Sequence, residues 1–432
     1  MKLKLIGTPC AGSLSPLLQR LFLEAAGLDG SYEVFEPSEE ELPAFLGEGL
    51  RDGTDGMNVT VPYKSSVIPY LAAVDPEAAR IGAVNTLVRR NDGFYGFNTD
   101  APGLILTLRR SGLVLDGLPC LVLGTGGAAR ACLHALSEVG AKAYLWGRDR
   151  AKAARLAGEF PGTSVYENPD GSGTRIVLAL NTTPCKAEND ARRLVRDVLG
   201  YLPGKILNLA YSVKMSPEAA ETEYEDGKVL LFYQGLLSFR YWTGVCFSEE
   251  KTEELLGRFL RLSSRSIVLT GFMGAGKSTV GRELAALLGT DCVDLDKELE
   301  RRRGMSIPEI FWTEGEEGFR KAEAALLREY AEGTGCLVLS AGGGAVLREE
   351  NRTLLRDPSL FTVWLDPPEE ELFGRLANRT GRPLLEGKGP EEILALYRGR
   401  KPLYQSTADA RIVSAAAPQD IAKEIVRKWS GY

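Results

Sequence analysis

The stretch Leu121-Val122-Leu123-Gly124-Thr125-Gly126-Gly127-Ala128-Ala129 decides the fold of the first part of the chain. An apolar strand leads into a G-x-G-x-x-A turn, which opens a helix to about Val139, and a second strand follows at 143–146. The glycines allow the tight turn and let the backbone approach a pyrophosphate at the helix N-terminus. This order predicts a Rossmann-type dinucleotide-binding lobe, with a ligand-free turn as the alternative interpretation. The predicted cofactor contacts are Gly124, Gly126, Gly127, Ala128 and Ala129.

The end of that second strand indicates which dinucleotide binds. An NAD enzyme usually offers an acidic residue at this point for the ribose hydroxyls. Trp146-Gly147-Arg148 stands here instead, and a guanidinium suits the 2′-phosphate of NADP. Asp149 is the next residue and could reach the ribose. The sequence therefore predicts NADP, with Arg148 as a contact, and leaves NAD open.

A second phosphate-binding stretch, Gly271-Phe272-Met273-Gly274-Ala275-Gly276-Lys277-Ser278, follows an apolar strand at 267–270. It is a complete G-x-x-x-x-G-K-S motif. In this motif backbone N–H groups cradle phosphates, the lysine reaches the β- and γ-phosphates, and the serine binds Mg²⁺. The motif predicts a P-loop domain that uses a nucleoside triphosphate. The predicted nucleotide contacts are Gly274, Ala275, Gly276, Lys277, Ser278 and Thr279.

Strand-like and helix-like patterns alternate along the whole chain, which is typical of α/β architecture. We predict strands at 2–8, 32–35, 57–61, 176–180 and 206–210, helices at about 16–26 and 39–46, and a hairpin of 84–90 with 94–98. The predicted organisation is an α/β substrate lobe at 1–101 completed by helices at about 234–260, a Rossmann-type lobe at 102–233, a linker at 261–266, and a P-loop nucleoside-monophosphate-kinase-like α/β domain at 267–432.

Composition excludes several kinds of chemistry. The chain has 432 residues, a formal net charge of −6, seven cysteines and a single histidine, His134. One histidine excludes two-histidine zinc sites and the 2-His-1-carboxylate iron site, so proton transfer falls to Lys, Asp, Glu or Tyr. His134 itself fits a packing or surface role on its predicted helix. The run Arg301-Arg302-Arg303 fits a solvated helix face.

The cysteines are scattered and form no Cys-x-x-Cys pair, which fits a reducing cytoplasm rather than a disulfide framework. No uninterrupted apolar run reaches the ~18 residues that a membrane span needs. The negative net charge argues against nucleic-acid binding. We therefore expect a cytoplasmic enzyme with small-molecule partners, and the sequence leaves its oligomeric state open.

Three polar segments of the first lobe stand where packing alone does not require them: SLSP at 13–16, NVTVPYK at 58–64 and NTD at 98–100. Ser15 before Pro16 fits either a helix N-cap or a ligand contact, and the segment 98–100 fits either a turn or a binding site. These segments are joined by Gly82-Ala83-Val84-Asn85-Thr86, Tyr211, Gln234-Gly235 and Trp242-Thr243-Gly244, in the order seen in shikimate dehydrogenases. Residues 1–260 thus resemble that family.

The resemblance implies NADPH-dependent reduction of 3-dehydroshikimate to shikimate, with Lys64 and Asp100 as the catalytic pair. An ammonium beside a carbonyl stabilises the developing alkoxide and can supply its proton, while the aspartate orients the lysine and the substrate. The chain departs from the family at Gly12, at Asn208 and in the loop 181–186, which loses the second half of its motif. The implied contacts are Ser13 and Ser15 for the substrate carboxylate, Asn58, Thr60, Lys64, Asn85, Asp100, Tyr211 and Gln234 for the rest of the substrate, and Asn181 for the cofactor.

Further motifs follow the P-loop: Asp294-Leu295-Asp296, Phe319-Arg320, Gly342-Gly343-Gly344, Arg382-Pro383-Leu384-Leu385 and Arg400-x-Pro402-Leu403-Tyr404. Together they resemble shikimate kinases over about residues 265–412. The resemblance implies ATP-dependent phosphorylation of shikimate to shikimate 3-phosphate. The implied roles are shikimate binding by Asp296, Arg320, Gly342, Gly343, Gly344 and Arg400, catalysis by Lys277, Asp296 and Arg382, an adenine contact at Arg379, a mobile and abbreviated lid around Arg382, and a metal site at Ser278 and Asp294.

Each half independently indicates shikimate, as the product of one and the substrate of the other. We therefore hypothesise a bifunctional enzyme of the shikimate pathway, which leads to chorismate and the aromatic amino acids. Two alternatives stay open: an NAD-preferring quinate/shikimate dehydrogenase fused to the kinase, and a catalytically inactive regulatory protein that binds shikimate or quinate. The presence of Lys64, Asp100, Lys277, Ser278 and Asp296 favours an enzyme.

Overall fold

The chain folds into two compact units, Met1–Leu260 and Arg261–Gly431. The computed structural model describes residues 1–10, 13–167, 174–184, 188–210, 222–288, 290–332, 338–377 and 389–430. The first unit contains two six-stranded sheets and the second a five-stranded sheet, all flanked by helices, so the predicted α/β architecture is confirmed. None of the helices in these ranges is long and apolar enough to cross a membrane.

The first sheet of the first unit has the strand order β2-β1-β3-β5-β6-β4. Strand β1 lies between β2 and β3 and runs parallel to both, whereas β5 and β6 form the predicted antiparallel hairpin around Asp92-Gly93. Gly93 has φ +146°, a value that favours glycine. The elements are β1 (Lys2–Ile6), α1 (Ser15–Ala26), β2 (Ser31–Phe35), α2 (Leu42–Arg51), β3 (Gly56–Val59), β4 (Ala73–Val74), α3 (Pro76–Ile81), β5 (Thr86–Arg90) and β6 (Gly93–Phe97).

The second sheet is parallel throughout, with the order β12-β11-β10-β7-β8-β9, as expected of a Rossmann-type lobe. Its central strand β7 leads into the glycine turn, and the helix after the turn buries an apolar face that includes Ala131, Leu133 and Leu136. The elements are α4 (Asp100–Arg110), β7 (Pro119–Leu123), α5 (Gly127–Glu138), β8 (Lys142–Trp146), α6 (Arg150–Glu159), β9 (Ser164–Val165), β10 (Leu178–Asn181), α7 (Glu188–Leu199), β11 (Lys205–Asn208), β12 (Glu223–Glu225), α8 (Lys228–Thr243) and α9 (Glu249–Leu262).

Helix α8 leaves the Rossmann-type lobe and packs against α1 of the first lobe. Gln19 on α1 donates from Nε2 to the carbonyl oxygen of Gly235 on α8, at 3.1 Å. Phe22 meets Phe232 edge-on, with ring centroids 5.3 Å apart. This packing brings Gln234 of α8 to the lobe that carries the other polar motifs.

The second unit has a parallel sheet with the order β14-β15-β13-β16-β17. Strand β13 is central and leads directly into the P-loop, as predicted. The helical span α12 is broken at Gly315, which has the non-helical angles φ +71° and ψ 175°, so Arg320 lies on the second of its two helical segments. The elements are β13 (Ser266–Thr270), α10 (Lys277–Leu288), β14 (Cys292–Asp294), α11 (Leu295–Arg303), α12 (Ile307–Ala331), β15 (Val338–Ser340), α13 (Glu349–Leu355), β16 (Leu360–Leu365), α14 (Glu369–Ala377), α15 (Pro390–Thr407), β17 (Ala410–Ile412) and α16 (Pro418–Ser430).

Two predicted helix ends differ from the observed ones. Helix α2 spans Leu42–Arg51 rather than 39–46, because the side chains of Ser38 and Glu41 bond each other's backbone N–H groups and form a turn before the helix. Helix α9 continues to Leu262 and β13 begins at Ser266, so residues 263–265 separate them rather than a linker of 261–266. The packing prediction for His134 is confirmed: it is buried, and its Nε2 lies 3.2 Å from Glu77 Oε1.

Candidate active sites

The predicted catalytic pair of the first unit is in direct contact. Lys64 Nζ lies 2.6 Å from Asp100 Oδ2, and each side chain is only 15% exposed. Lys64 lies in the turn region 61–67 after β3, whereas Asp100 is the first residue of α4. Asn98 Oδ1 accepts the backbone N–H groups of Asp100 and Ala101 at 3.0 and 3.1 Å and thereby fixes the start of that helix. The turn and the site expected at 98–100 are therefore the same feature.

A buried hydrogen-bond network holds the pair. Asn85 Nδ2 donates to Asp100 Oδ1 at 2.8 Å and to Gln234 Oε1 at 3.3 Å. Asn58 Nδ2 donates to the carbonyl oxygen of Asn85 at 3.2 Å. The structure thus brings together four of the predicted substrate contacts. Four further residues complete the network: Thr86 and Thr99, which belong to the quoted motifs, and Tyr32 and Ser238, which the sequence did not single out.

The serines of the first motif lie at the start of α1. The Ser13 hydroxyl oxygen accepts the backbone N–H of Ser15 at 3.2 Å, and Ser15 is buried as the first residue of the helix. The N-cap position is Leu14, which makes no side-chain cap, so the N-cap interpretation of Ser15 is wrong. Thr60 lies against Gly7, where a Cβ would come within 2.3 Å of Thr60 Cγ2. Tyr211 lies outside the described residues.

The glycine turn lies beside the catalytic lysine. Gly124 has φ +116°, and a Cβ there would be 2.2 Å from Thr182 Oγ1, so only glycine fits. Gly126 takes the N-cap position of α5 and has open space around it. A Cβ on Gly127 would be 3.4 Å from Lys64 Cβ and 3.6 Å from Lys64 Cδ. The predicted phosphate turn and the predicted catalytic residue are therefore neighbours.

The two residues after β8 differ in what they can offer a cofactor. Asp149 accepts the backbone N–H of Lys152 at 2.9 Å and so caps α6. Arg148 is exposed. Asn181 is fully buried, and its Nδ2 donates to Asn208 Oδ1 at 2.8 Å. Asn181 and Asn208 therefore hold the ends of β10 and β11 together, and Asn181 Oδ1 also accepts the backbone N–H of Thr183 at 3.1 Å.

A cavity of about 520 Å³ opens above the P-loop of the second unit. Its walls include Gly274–Thr279 on one side and Asp296, Arg320 and Glu323 on another. Lys277 is buried, and its Nζ donates to the carbonyl oxygens of Gly271 at 2.9 Å and Phe272 at 3.1 Å. The lysine is thus held over the loop, where phosphates would bind.

Two charged side chains of this cavity, Arg320 and Glu323, are almost fully buried. Arg320 Nη1 donates to Glu323 Oε2 at 2.8 Å, with 7% and 3% of the two side chains exposed. Burial raises the pKa of Asp296 above its ordinary value, although Lys277 and Arg320 oppose the shift. Burial raises the pKa of Glu323 in the same way. Arg320 Nε and Glu323 Oε1 have no hydrogen-bond partner within the described ranges, which is the arrangement expected of a cavity that receives a polar ligand.

The three glycines after β15 touch each of the predicted shikimate-binding side chains. A Cβ on Gly342 would lie 2.1 Å from Glu323 Oε1 and 2.8 Å from Asp296 Oδ1. A Cβ on Gly344 would lie 2.2 Å from Arg320 Nη1. The carbonyl oxygen of Gly343 accepts Nη1 of Arg400 at 3.2 Å and the hydroxyl of Tyr404 at 2.5 Å. The structure therefore brings Asp296, Arg320, Arg400 and the glycines together.

Comparison with known proteins gives a family for each of the two parts of the chain that carry these sites. A family model described as the shikimate dehydrogenase substrate binding domain matches residues 5–87, and the shikimate kinase family model matches residues 273–430. The chain is 37% identical over 265 residues to a shikimate dehydrogenase (NADP(+)) of Thermus thermophilus, which covers 60% of this chain and 99% of that relative. It is 45% identical over 168 residues to shikimate kinase of Bordetella avium, which covers 38% of this chain and 79% of that relative. The chain belongs to both families.

A solved structure supports the shikimate dehydrogenase part. Shikimate 5-dehydrogenase from Thermus thermophilus, in complex with NADP(H) and shikimate, matches with a TM-score of 0.53 and 37% sequence identity. The match covers 60% of this chain and 99% of that one. This match confirms the predicted Rossmann-type architecture of the shikimate dehydrogenase part.

In the shikimate kinase part, the structure shows a contact for one predicted residue and adds two residues to the cavity. Asp294 accepts the backbone N–H of Lys297 at 3.3 Å and caps α11, and it does not line the cavity formed by the described residues. Arg379 and Arg382 with their lid lie outside the described ranges. Sequence reasoning missed Glu323 and Arg375, both of which line the cavity. Glu323 stands three residues after Arg320, a helical spacing that could have identified the ion pair.

Arg375 lies at the nucleotide end of the cavity. Its Nη2 donates to Glu371 Oε2 at 2.7 Å and to the carbonyl oxygen of Ser414 at 3.0 Å. Its Nη1 lies 3.8 Å from the position of a Cβ on Gly276. The guanidinium is therefore fixed beside the P-loop glycine. Pro418 and Ile421 of α16 also line the cavity and provide apolar surface.

Proposed function

We propose that this protein is a bifunctional shikimate-pathway enzyme that reduces 3-dehydroshikimate to shikimate with NADPH and then phosphorylates shikimate with ATP. The observation that carries the proposal is that each unit holds a complete charged centre beside its own phosphate-binding turn. In the first unit this centre is Lys64 with Asp100. In the second it is Asp296 with Arg320, facing Lys277 across one cavity.

The first centre suits carbonyl reduction. NADPH supplies the hydride when it is bound at the glycine turn. The Lys64 ammonium, held at 2.6 Å by Asp100, stabilises the alkoxide that forms at the substrate carbonyl and donates the proton that completes the hydroxyl. Asn85 fixes the Asp100 carboxylate through its other oxygen, so the lysine keeps its direction.

The second centre suits phosphoryl transfer to a hydroxyl. Asp296 accepts the proton of the nucleophilic hydroxyl or orients it, and the guanidiniums of Arg320 and Arg400 pair with the shikimate carboxylate. Lys277 and the P-loop N–H groups hold the phosphates. Asp296, Arg320 and Lys277 line the cavity, and Arg400 donates to the carbonyl oxygen of Gly343 on the glycine turn.

The residues present fit a nucleotide-bound Mg²⁺ rather than a metal held by the protein alone. No group of three or more His, Cys, Asp or Glu side chains in the described part of the chain is arranged to hold a metal. Mg²⁺ in such enzymes is usually held by one or two protein oxygens together with substrate phosphates and water. Ser278 on the cavity wall would supply one oxygen, and Mg²⁺ would neutralise phosphate charge there. Asp294 would act from further away, since it caps a helix.

We also propose NADP(H) as the cofactor, because Arg148 is exposed at the end of β8 while Asp149 is engaged as the cap of α6. The named dehydrogenase relatives are NADP(+) enzymes, which disfavours the NAD-preferring alternative. The intact charged centres disfavour the inactive regulatory protein. Rates measured with NADPH and NADH on one preparation distinguish the first alternative, and a higher rate with NADH would contradict the proposal.

The remaining assignments are proposals that the fold supports. We propose a substrate lobe at 1–101 completed by 234–260, an NADP lobe at 102–233 and a kinase domain at 267–432. Helix α8, which crosses to pack on α1, supports the first of these. We further propose that the enzyme works in a reducing cytoplasm, because the cysteines in the described ranges are free thiols: Cys10, Cys120, Cys132, Cys246 and Cys292.

Reciprocal substitutions test the two activities in one chain. Lys64→Ala is expected to lower NADPH oxidation with 3-dehydroshikimate by at least about 100-fold, because the proton donor is lost, and to leave shikimate-dependent ADP formation unchanged. Lys277→Ala is expected to do the reverse. Each variant's spared activity shows that the chain has folded. A Lys64→Ala protein that still reduces the substrate at the unsubstituted rate would contradict the assignment.

A further inference from the structure

Arg130 on helix α5 joins three elements of the dehydrogenase unit. Its Nε donates to the carbonyl oxygen of Ile81 at 2.6 Å, where α3 ends. Its Nη2 bonds Glu159, the last residue of α6, and its guanidinium lies 5.6 Å from the ring centroid of Phe160. Helix α3 belongs to the proposed substrate lobe, whereas α5 and α6 follow the cofactor turn and the cofactor-selecting strand. Arg130 therefore connects the cofactor side of the unit to the substrate side.

The backbone beside Arg130 is shaped to receive its side chain. Gly82 follows Ile81 with φ +70°, and a Cβ there would lie 2.7 Å from Arg130 Nη2 and 3.0 Å from Nε. Any other residue at this position would push the guanidinium away from the end of α3. A cation is also favourable at that point, because the carbonyl groups at a helix C-terminus carry partial negative charge.

The segment that Arg130 holds is the one that supports both catalytic residues. Two residues beyond Gly82, the N–H of Val84 donates to the carbonyl oxygen of Lys64 at 2.7 Å. The carbonyl oxygen of Ala83 accepts Nδ2 of Asn98, whose Oδ1 binds the N–H of Asp100. Asn85 then donates to the Asp100 carboxylate. A shift of Ile81 would therefore be passed to Lys64 and Asp100 together.

We propose that Arg130 is a positioning residue that sets the distance between the bound cofactor and the Lys64–Asp100 pair. Helix α5 supports this pair in two ways: Gly127 at its start lies directly against the Lys64 methylene groups, and Arg130 acts indirectly, through Ile81 and the residues that follow. The Arg130 side chain contacts Ile81, Glu159 and Phe160, so it acts on the Lys64–Asp100 pair through other residues. The inference rests on the proposed dehydrogenase function and names the contact that aligns its two reactants.

The test is Arg130→Met in the full-length protein, which keeps an apolar stem and removes the hydrogen bonds. Because a misplacement of about 1 Å can cost about 100-fold in rate, we expect kcat for NADPH-dependent reduction to fall about 10- to 100-fold. The KM for 3-dehydroshikimate and the Kd for NADPH should change by less than about threefold. The kinetic isotope effect with C4-deuterated NADPH should rise, since hydride transfer becomes rate-limiting. Arg130→Lys should restore part of kcat, because an ammonium can still donate to the Ile81 carbonyl oxygen.

Two controls separate positioning from a general loss of structure. Arg193→Met removes an exposed arginine of α7 in the same lobe and should leave every constant unchanged. The kinase activity of Arg130→Met should equal that of the unsubstituted chain. If Arg130→Met does not fold, Glu159→Ala takes its place in the test. This variant removes only the second partner of Arg130, whose side chain is half-exposed. It should lower kcat about threefold and raise the isotope effect in the same way.

The inference is overturned if Arg130→Met, or Glu159→Ala in its place, keeps kcat and the isotope effect of the unsubstituted enzyme. It is also overturned if the variant loses thermal stability while kcat is unchanged, because Arg130 would then be structural only. Failure of the proposed function looks different. In that case the unsubstituted protein itself would not oxidise NADPH with 3-dehydroshikimate.

Discussion

At the scale of single residues, the two proposed activities depend on charged side chains whose surroundings act in different ways. Lys64 and Asp100 form an ion pair with each other, and Asn85 donates a further hydrogen bond to the aspartate. Asp296 is instead buried beside a second carboxyl group, Glu323, and burial raises the pKa of both. Burial therefore disfavours the ionised form of both carboxyl groups, and this is a cost in stability wherever they ionise, which is common where a group must act on a proton.

Asp296→Asn is expected to remove both the activity and this cost. Phosphorylation should fall at least about 100-fold, because the proton acceptor is lost. The folded protein binds a proton at Asp296 more readily than the unfolded chain, so this group lowers stability as the pH rises from the ordinary aspartate range through the raised pKa. The variant should therefore unfold at a higher temperature than the unsubstituted protein at pH 8, with a smaller difference at pH 5. A variant that is less stable at pH 8 would contradict the assignment.

The sequence predicted residues that belong to a motif and missed residues that meet only in space. Lys64 and Asp100 are 36 positions apart, yet each stands in a recognisable segment, and the structure places them in contact. For Ser15 the sequence left a cap and a ligand contact open, and the structure excludes the cap because Leu14 takes the N-cap position. Arg375 carries no motif of its own, and its place beside the P-loop follows from how α14 packs.

At the scale of elements, the glycine turn after β15 organises the kinase centre. Its three residues leave room for the carboxylates of Asp296 and Glu323 and for the Arg320 guanidinium. The sequence identified these three glycines only through the resemblance to shikimate kinases. It did not predict the break in α12 at Gly315, which precedes the helical segment of Arg320, because a single glycine in a helical pattern has no fixed consequence.

Gly344→Ala tests that element. Gly344 has φ −105°, so the backbone tolerates alanine, but the added Cβ would lie 2.2 Å from Arg320 Nη1 and displace the guanidinium. We expect the KM for shikimate to rise about 10- to 100-fold, since a hydrogen bond to a charged group is worth about 1.5–3 kcal/mol, with the KM for ATP within about twofold. The matched control is Gly399→Ala on the exposed face of α15, where a Cβ meets nothing within 4 Å. An unchanged KM for shikimate in Gly344→Ala would refute this account of the turn.

At the scale of the whole molecule, the chain consists of two compact units, each with its own sheets and its own buried core. The two glycine-rich turns, each after an apolar strand, were enough to predict both architectures. The observed boundary after Leu260 falls within α9, which continues to Leu262. The prediction that α8 completes the first lobe came from the resemblance alone, because the order of elements along the chain does not indicate it.

Separate ligands should therefore stabilise separate units. At a concentration about 100 times its Kd, a ligand adds about 2.7 kcal/mol to the unit that binds it. In calorimetry we expect NADPH to raise the unfolding temperature of one transition and MgATP that of the other. The Lys277→Ala variant should lose the MgATP shift and keep the NADPH shift. A single transition that responds equally to both ligands would contradict two independent units.

The measurement that tests the central claim most directly is a coupled assay on the purified full-length chain with 3-dehydroshikimate, NADPH, ATP and Mg²⁺. The account predicts that NADPH is oxidised first and that ADP then appears, with one ADP and one shikimate 3-phosphate formed for each NADPH consumed. Omitting NADPH should abolish ADP formation, and adding shikimate should restore it. No oxidation of NADPH, or no ADP formed from added shikimate, would contradict the account.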